Sequence, residues 1–149
     1  MFFWPVRVYY EDTDSGGVVY YANYLKYMER ARTEWLRSYG IEQDDLRAQQ
    51  GIIFAVHSVM VNFLRSGQFN DLLYVTATVI QQRRASLTFD QQVMRLLPDM
   101  ANTKLDDKVL KENMTVLCAG QVKIACLDAG SMRPRHIPED ILTEISRDS

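Results

Sequence analysis

Apolar and polar positions alternate along residues 2–11, with Val6, Val8 and Tyr10 on one side, and this predicts a first strand. Pro5 within it favours an edge or strand-start position. From Tyr21 the period changes to a helical one. Tyr21, Tyr24, Leu25, Met28, Ala31, Trp35, Leu36 and Tyr39 fall on one stripe. Lys26, Glu29, Arg30, Glu34 and Arg37 fall mostly off it, and Gly40 offers a natural stop. A helix over about 21–39 follows. Glu42–Gln50 reads as a short second helix or turn ending at Gly51. Then the chain turns β. Ile52–Leu64 is a long apolar run, Leu72–Gln81 is rich in β-branched residues, and Ser86–Leu96 follows a polar turn. In Met114–Leu127, period two puts Met114, Val116, Cys118, Val122, Ile124 and Cys126 on one face. The tail holds Pro134, Pro138 and a short terminal helix.

Short connections between the later strands favour antiparallel pairing. One long helix beside one sheet predicts an α+β fold in which the sheet wraps the helix, because each apolar face needs the other. The 149 residues suffice for one domain spanning 1–149. Apolar residues make up 47% and charged residues 24%, which fits a folded soluble protein and excludes a disordered one. A net charge of −2 argues against a general nucleic-acid partner. The start, MFFWPVRV, lacks the marks of a signal peptide, and Gly51–Leu64 is too short to span a bilayer. The expectation is a cytoplasmic protein and not an integral membrane one. Cys118 and Cys126, eight residues apart in one strand, would lie about 26 Å apart, which predicts buried free thiols. No Cys/His cluster suggests a metal.

The candidate chemistry lies between the first strand and the long helix, in Asp12-Thr13-Asp14-Ser15-Gly16-Gly17. A calcium loop starting at Asp12 would need an oxygen ligand at Gly16 and Glu at Asn23. A phosphotransferase-type DxD motif would need Thr or Val at Gly16. A plain turn that caps a helix satisfies the local pattern. So does a hydrolytic site with Asp14 as base or nucleophile, where the free amides of the helix N-terminus polarise a carbonyl. No G-x-S-x-G elbow is present. His57 lies in an apolar run and reads as a core histidine, and His136 reads as exposed.

The motif Y-x-D-T-D-x-x-G-x-V-Y-x-x-x-Y, followed by E-R-A-R-x-E-x-L in the helix, resembles the hotdog-fold acyl-CoA thioesterases of the 4-hydroxybenzoyl-CoA thioesterase type. It is most similar to the branch associated with the Tol-Pal system, called YbgC-type. Trp4–Leu36 carries most of the likeness, with support from Arg84–Phe89 and from Met132–Arg135 with Ile137-Pro138. The resemblance implies one long helix wrapped by a roughly five-stranded antiparallel sheet. It implies a homodimer or homotetramer with active sites at subunit interfaces, and hydrolysis of an acyl-CoA, or of an acyl-carrier-protein thioester, without a cofactor. Asp14 would be the catalytic carboxylate, as base or nucleophile, and the Tyr21 backbone N–H the oxyanion donor. Gly17, Val18 and Ser86 would contact substrate, and Arg83 and Arg84 would meet the phosphates of CoA or form a solvated turn. Arg133 and Arg135 are weaker candidates for the same phosphates. Many members of the branch carry His where this chain has Tyr21; the implied contact uses the backbone, which Tyr also supplies. A role peripheral to the inner membrane follows from the same likeness. So does a competing reading, a non-catalytic acyl-CoA or acyl-carrier-protein binding module. The segment 97–112 is longer than is usual for the family. Glu29 could orient the loop backbone or pair with Arg30 or Arg32 at the surface, and it is read as structural.

Overall fold

The computed structural model describes residues 2–96, 106, 108 and 112–146. Strand β1 covers Phe3–Arg7, and helix α1 covers Ala22–Ser38. A short helix α2, Gln43–Asp45, runs into a π turn over Leu46–Gln50. Strands β2 (Ile52–Phe63), β3 (Leu72–Thr76), β4 (Thr78–Gln82), β5 (Ser86–Leu96) and β6 (Met114–Asp128) follow, then helix α3 (Glu139–Ser146). The sheet is antiparallel in the order β1-β3-β5-β6-β2, with β4 also on β5. The expected α+β wrap is present, and among the described residues the short helices α2 and α3 accompany the long one. Most of the long 97–112 segment lies outside the described residues.

Helix α1 packs across the sheet and buries Tyr24, Met28, Ala31, Trp35 and Leu36 as its stripe requires. The Trp35 ring meets the edge of Phe89 at 5.2 Å between centroids. The helix ends in a Schellman motif: Gly40 N–H bonds Arg37 O (2.9 Å) and Ile41 N–H bonds Leu36 O (3.1 Å). Its buried arc is wider than the stripe. Tyr27 is fully buried and Arg32 nearly so, while Tyr21 and Leu25 on the stripe stay exposed. The curved sheet reaches around one side of the helix and stops short on the other. The surface reading of Arg32 is therefore corrected.

The first strand is shorter than its alternation suggests. The chain leaves the sheet after Arg7 and makes a 3-10 turn at Tyr10–Asp12, because the Asp12 carboxylate takes the Tyr9 N–H at 2.8 Å. The run 72–81 divides at Ala77. There the buried Gln91 amide donates to Thr76 O (3.1 Å), and the Thr76 hydroxyl accepts the Gln92 N–H (2.9 Å), so side chains replace ladder bonds. In β6 the period-two face breaks at Leu117, where the β5 register shifts. Leu117 and Cys118 are both buried, and Val116 leaves the core face. Cys118 and Cys126 are free, buried thiols. His57 sits at a bulge of β2 and is exposed, so it is not a core histidine.

Candidate active site

The two carboxylates of the acidic loop have different surroundings. Asp12 is the pin. Its Oδ2 accepts the Tyr9 N–H at 2.8 Å, its Oδ1 accepts the Asn23 amide at 3.1 Å, and its carbonyl accepts the Tyr20 N–H at 3.0 Å. It therefore ties the end of the strand to the first turn of α1. Asp14 is exposed, and among the described residues only its Oδ1 is engaged, by the Gly16 N–H at 2.9 Å. That Asx turn aims the carboxylate and leaves the second oxygen available.

The loop around Asp14 is closed by backbone bonds. Asp14 N–H donates to Val18 O (2.9 Å), Gly17 N–H to Asp14 O (3.0 Å), and Thr13 bridges Val19. Gly17 takes φ +80°, open to glycine and costly for other residues. A Cβ on Gly16 would stand 3.2 Å from Asp14 Oδ1, which favours a bare backbone there. Val18 bridges Gln68, and Val19 N–H donates to Gly67 O at 2.8 Å. The Tyr24 hydroxyl accepts the Gly67 N–H at 2.9 Å and locks the loop to the helix.

Tyr21 already has helical φ and ψ, and the N–H groups of Tyr21 and Ala22 find no acceptor among the described residues. These are the orphan donors of a helix start, on the positive end of its dipole. Asp14, Gly17 and Val18 thus share one closed loop that leads into the Tyr21 amide at the start of α1. The exposed Tyr21 ring rests against Phe63 at 5.8 Å.

Arg83, Arg84 and Ser86 lie elsewhere. Their turn closes through Arg83 N–H to Ser86 O (2.9 Å). Ser86 pairs with Ala125, which pairs with Ala55, near the start of β2. The acidic loop sits beside Phe63, near its end, about 26 Å away along the strand. Both arginines are exposed and make no ion pair among the described residues. Arg135 is a structural brace, since its Nη1 bonds Gln50 O, Gly51 O and Asp128 Oδ2 at 2.9, 3.2 and 3.3 Å. The backbone amides of Ser131 and Gly130 hold the Asp128 carboxyl below its ordinary pKa, and Arg135 adds to this.

A feature missed by the sequence reading lies on the uncovered side of α1. A groove of about 450 Å³ runs between the helix and β2, with Leu25, Val56, Val59 and Val122 as its apolar walls. Arg32 lines it. Its Nη1 donates to Gln91 Oε1 at 2.9 Å, and Gln91 in turn donates to Met28 O at 3.0 Å. Burial draws the guanidinium pKa downward, with Glu29 acting against that. The placement of Arg32 four residues after Met28 was the available signal. Glu29 accepts the Thr33 hydroxyl at 2.9 Å, in keeping with a structural role, and makes no ion pair with Arg30 or Arg32 among the described residues. Among the described residues the buried Tyr27 hydroxyl finds no hydrogen-bond partner; burial, and then the nearby Asp12 carboxylate, raise its pKa.

No group of His, Cys, Asp and Glu among the described residues could hold a metal ion, and none of their helices is long and apolar enough to cross a membrane. Residues 16–96 match the family model described as Thioesterase superfamily. The chain is 38% identical to the acyl-CoA thioesterase YbgC of Haemophilus influenzae, over 94% of this chain and 90% of that protein. It is 36% identical to the acyl-CoA thioester hydrolase YbgC of Escherichia coli O157:H7, over 99% and 97%. Among solved structures it resembles a probable thioesterase from Bartonella henselae, with TM-score 0.74 and 29% identity over 91% of this chain and 98% of that one. It also shares its fold with a 4-hydroxybenzoyl-CoA thioesterase mutant complexed with 4-hydroxybenzoyl-CoA, with TM-score 0.79 and 18% identity over 95% and 96%.

Proposed function

From the premise that this chain belongs to the thioesterase superfamily and has its hotdog fold, we propose that it hydrolyses acyl-CoA thioesters to a free carboxylate and CoA. The observation that carries this is the pairing of an aimed, half-free carboxylate with unpartnered amides at the start of α1. The thioester carbonyl oxygen lies at the Tyr21 N–H, where the helix dipole favours the negative charge that develops on attack. Asp14 supplies the other half by one of two routes. As base it takes a proton from the attacking water. As nucleophile it forms a mixed anhydride that water then opens. In both, the C–S bond breaks and the electron pair leaves on the CoA sulfur, which is then protonated.

The site is shared between two copies. Among the described residues strand β2 is an open sheet edge, and a twofold pairing of β2 with its counterpart is antiparallel. It lays the Phe63 end of one copy beside the Ile52 end of the other. The partner's basic turn then stands near the acidic loop, which answers the separation within one chain. In that arrangement Arg83 and Arg84 meet the CoA phosphates as guanidinium forks, with Ser86 beside them. Gly17 and Val18 flank the thioester.

The deciding assay measures free thiol released from short, long and aromatic acyl-CoAs, wild type beside Asp14→Asn. Turnover in the wild type should fall about 10²–10⁴-fold in the variant, with the fold intact. A variant near the wild-type rate would remove Asp14 from the chemistry. Binding of acyl-CoA without turnover would make the chain a binding module.

A further inference from the structure

Arg32 is a buried charge with an unfinished environment. It is 7% exposed, yet its one hydrogen-bond acceptor is the neutral Gln91 amide, and it has no ion pair among the described residues. Buried guanidinium groups are ordinarily matched by an anion, because desolvation without one is costly. Arg32 lines the groove between α1 and β2. Lys26 and Arg30 line it too, against the single carboxylate of Glu29, which already holds the Thr33 hydroxyl. The groove is thus apolar in its walls and positive in its charge.

Its position relates it to the thioester site. Tyr21, Leu25, Glu29 and Arg32 share one helix face by their spacing. The groove begins one turn below the Tyr21 amide. Arg32 lies about 16 Å further along the axis at its Cα. Its side chain leans back toward the helix N-terminus, as helical side chains do. The guanidinium then stands on the order of 10 Å from the oxyanion donor. An extended chain covers about 1.2 Å per bond, so six to ten carbons, roughly, would bridge the two.

We propose that the groove takes the acyl group and that Arg32 binds a carboxylate at its far end, so that the substrates are medium-length ω-carboxyacyl thioesters. This rests on the thioesterase reading above. The alternative anion is a carboxylate of a second copy. A twofold partner, however, brings an identical groove with the same positive excess, and so leaves that excess unanswered. A carboxylate on the ligand answers it in each copy.

The test compares octanoyl-CoA with its eight-carbon ω-carboxy counterpart on the intact protein. The wild type should favour the ω-carboxy thioester by about tenfold or more in kcat/KM, chiefly through KM, as a charge-assisted bond would give. Arg32→Met should bring the ratio toward one. Arg32→Lys, which keeps the charge without the fork, should keep part of it. A wild-type ratio of one or below overturns the proposal. If that ratio comes with Arg32→Met dissociating into monomers, the partner supplies the anion. Calorimetric binding of both thioesters to Asp14→Asn separates the two readings. Tighter binding of the ω-carboxy compound without any wild-type turnover supports the groove assignment and refutes hydrolysis. Equal binding with turnover refutes only the groove assignment.

Discussion

Strands β1 and β2 both run along the rim of the same sheet, but they treat that position in opposite ways. β1 has five residues, and Pro5 removes one of its N–H groups from any further ladder. β2 has twelve residues, no proline, and a run of exposed apolar side chains: Val56, Val59, Met60 and Phe63 are 42–73% exposed. A long apolar edge left open is an aggregation hazard in a monomer and a natural seam in an assembly. The residues around it point the same way. Tyr21 and Leu25 lie on the apolar stripe of α1 yet remain exposed, on the side where the sheet ends at β2. The helix is therefore amphipathic toward something beyond its own chain. One rim is finished within the chain, and the other is the one that the proposed twofold pairing would complete.

The largest test of this contrast is Val59→Lys with Met60→Lys. It places charge on both faces of the β2 edge and should give monomers in sedimentation or size exclusion. If the site is shared as proposed, thioesterase turnover should fall on the order of a hundredfold. Trp4→Lys on β1 should leave the assembly unchanged, and dissociation by that variant would void the distinction between the rims. Next in size is Gly120→Ala on β6. A Cβ there would meet Met60 O at 2.2 Å and Val61 Cα at 2.8 Å, so β2 must move away from its neighbour. We expect a loss of about 1–3 kcal/mol in denaturant unfolding, with weaker self-association. Gly130→Ala has only a 3.4 Å contact, to Asp128 Oδ1, and serves as control.

The smallest effect concerns the anchoring of β2 at its start, where Asp128 pairs with Ile52. The folded-state pKa of Asp128 lies below its unfolded value of about 3.9. Its contribution to stability is therefore present above that value and is lost as pH falls through the lower, folded one. Asp128→Asn should lower Tm slightly at neutral pH and flatten the fall of Tm below about pH 4. Melting curves that stay parallel to wild type across that range would contradict the assignment.

Much of this was legible in the chain itself. The α1 stripe, Gly40 as its stop and the β-branched runs are local signals, and the elements formed where those signals lie. The placement of Asp14 in a turn between strand and helix start was legible because the three are contiguous in the chain. What escaped depends on distant partners. The division at Ala77 is made by Gln91, which lies in another strand, and the burial of Arg32 depends on that same Gln91, 59 residues away. The shift at Leu117 is a property of the β5–β6 register, which alternation in one strand does not encode. Arg83 and Arg84 adjoin the middle turn in sequence, but only the strand order reveals that they stand at the opposite end from Asp14. The early end of β1 was local: Asp12 captures the Tyr9 amide three residues back, a bond that alternation of Val6, Val8 and Tyr10 conceals.

The two cysteines acquire a practical meaning from their surroundings. Burial pushes the Cys118 thiol up to about 11 and raises that of Cys126 as well. Thiol exchange needs an accessible thiolate, and near neutral pH neither side chain offers one. A reaction that releases a free thiol in every cycle thus takes place in a protein whose own thiols stay out of exchange with any disulfide that an external oxidant makes from that product. The same inertness means that a chromogenic thiol reagent added to the native protein counts only the CoA set free.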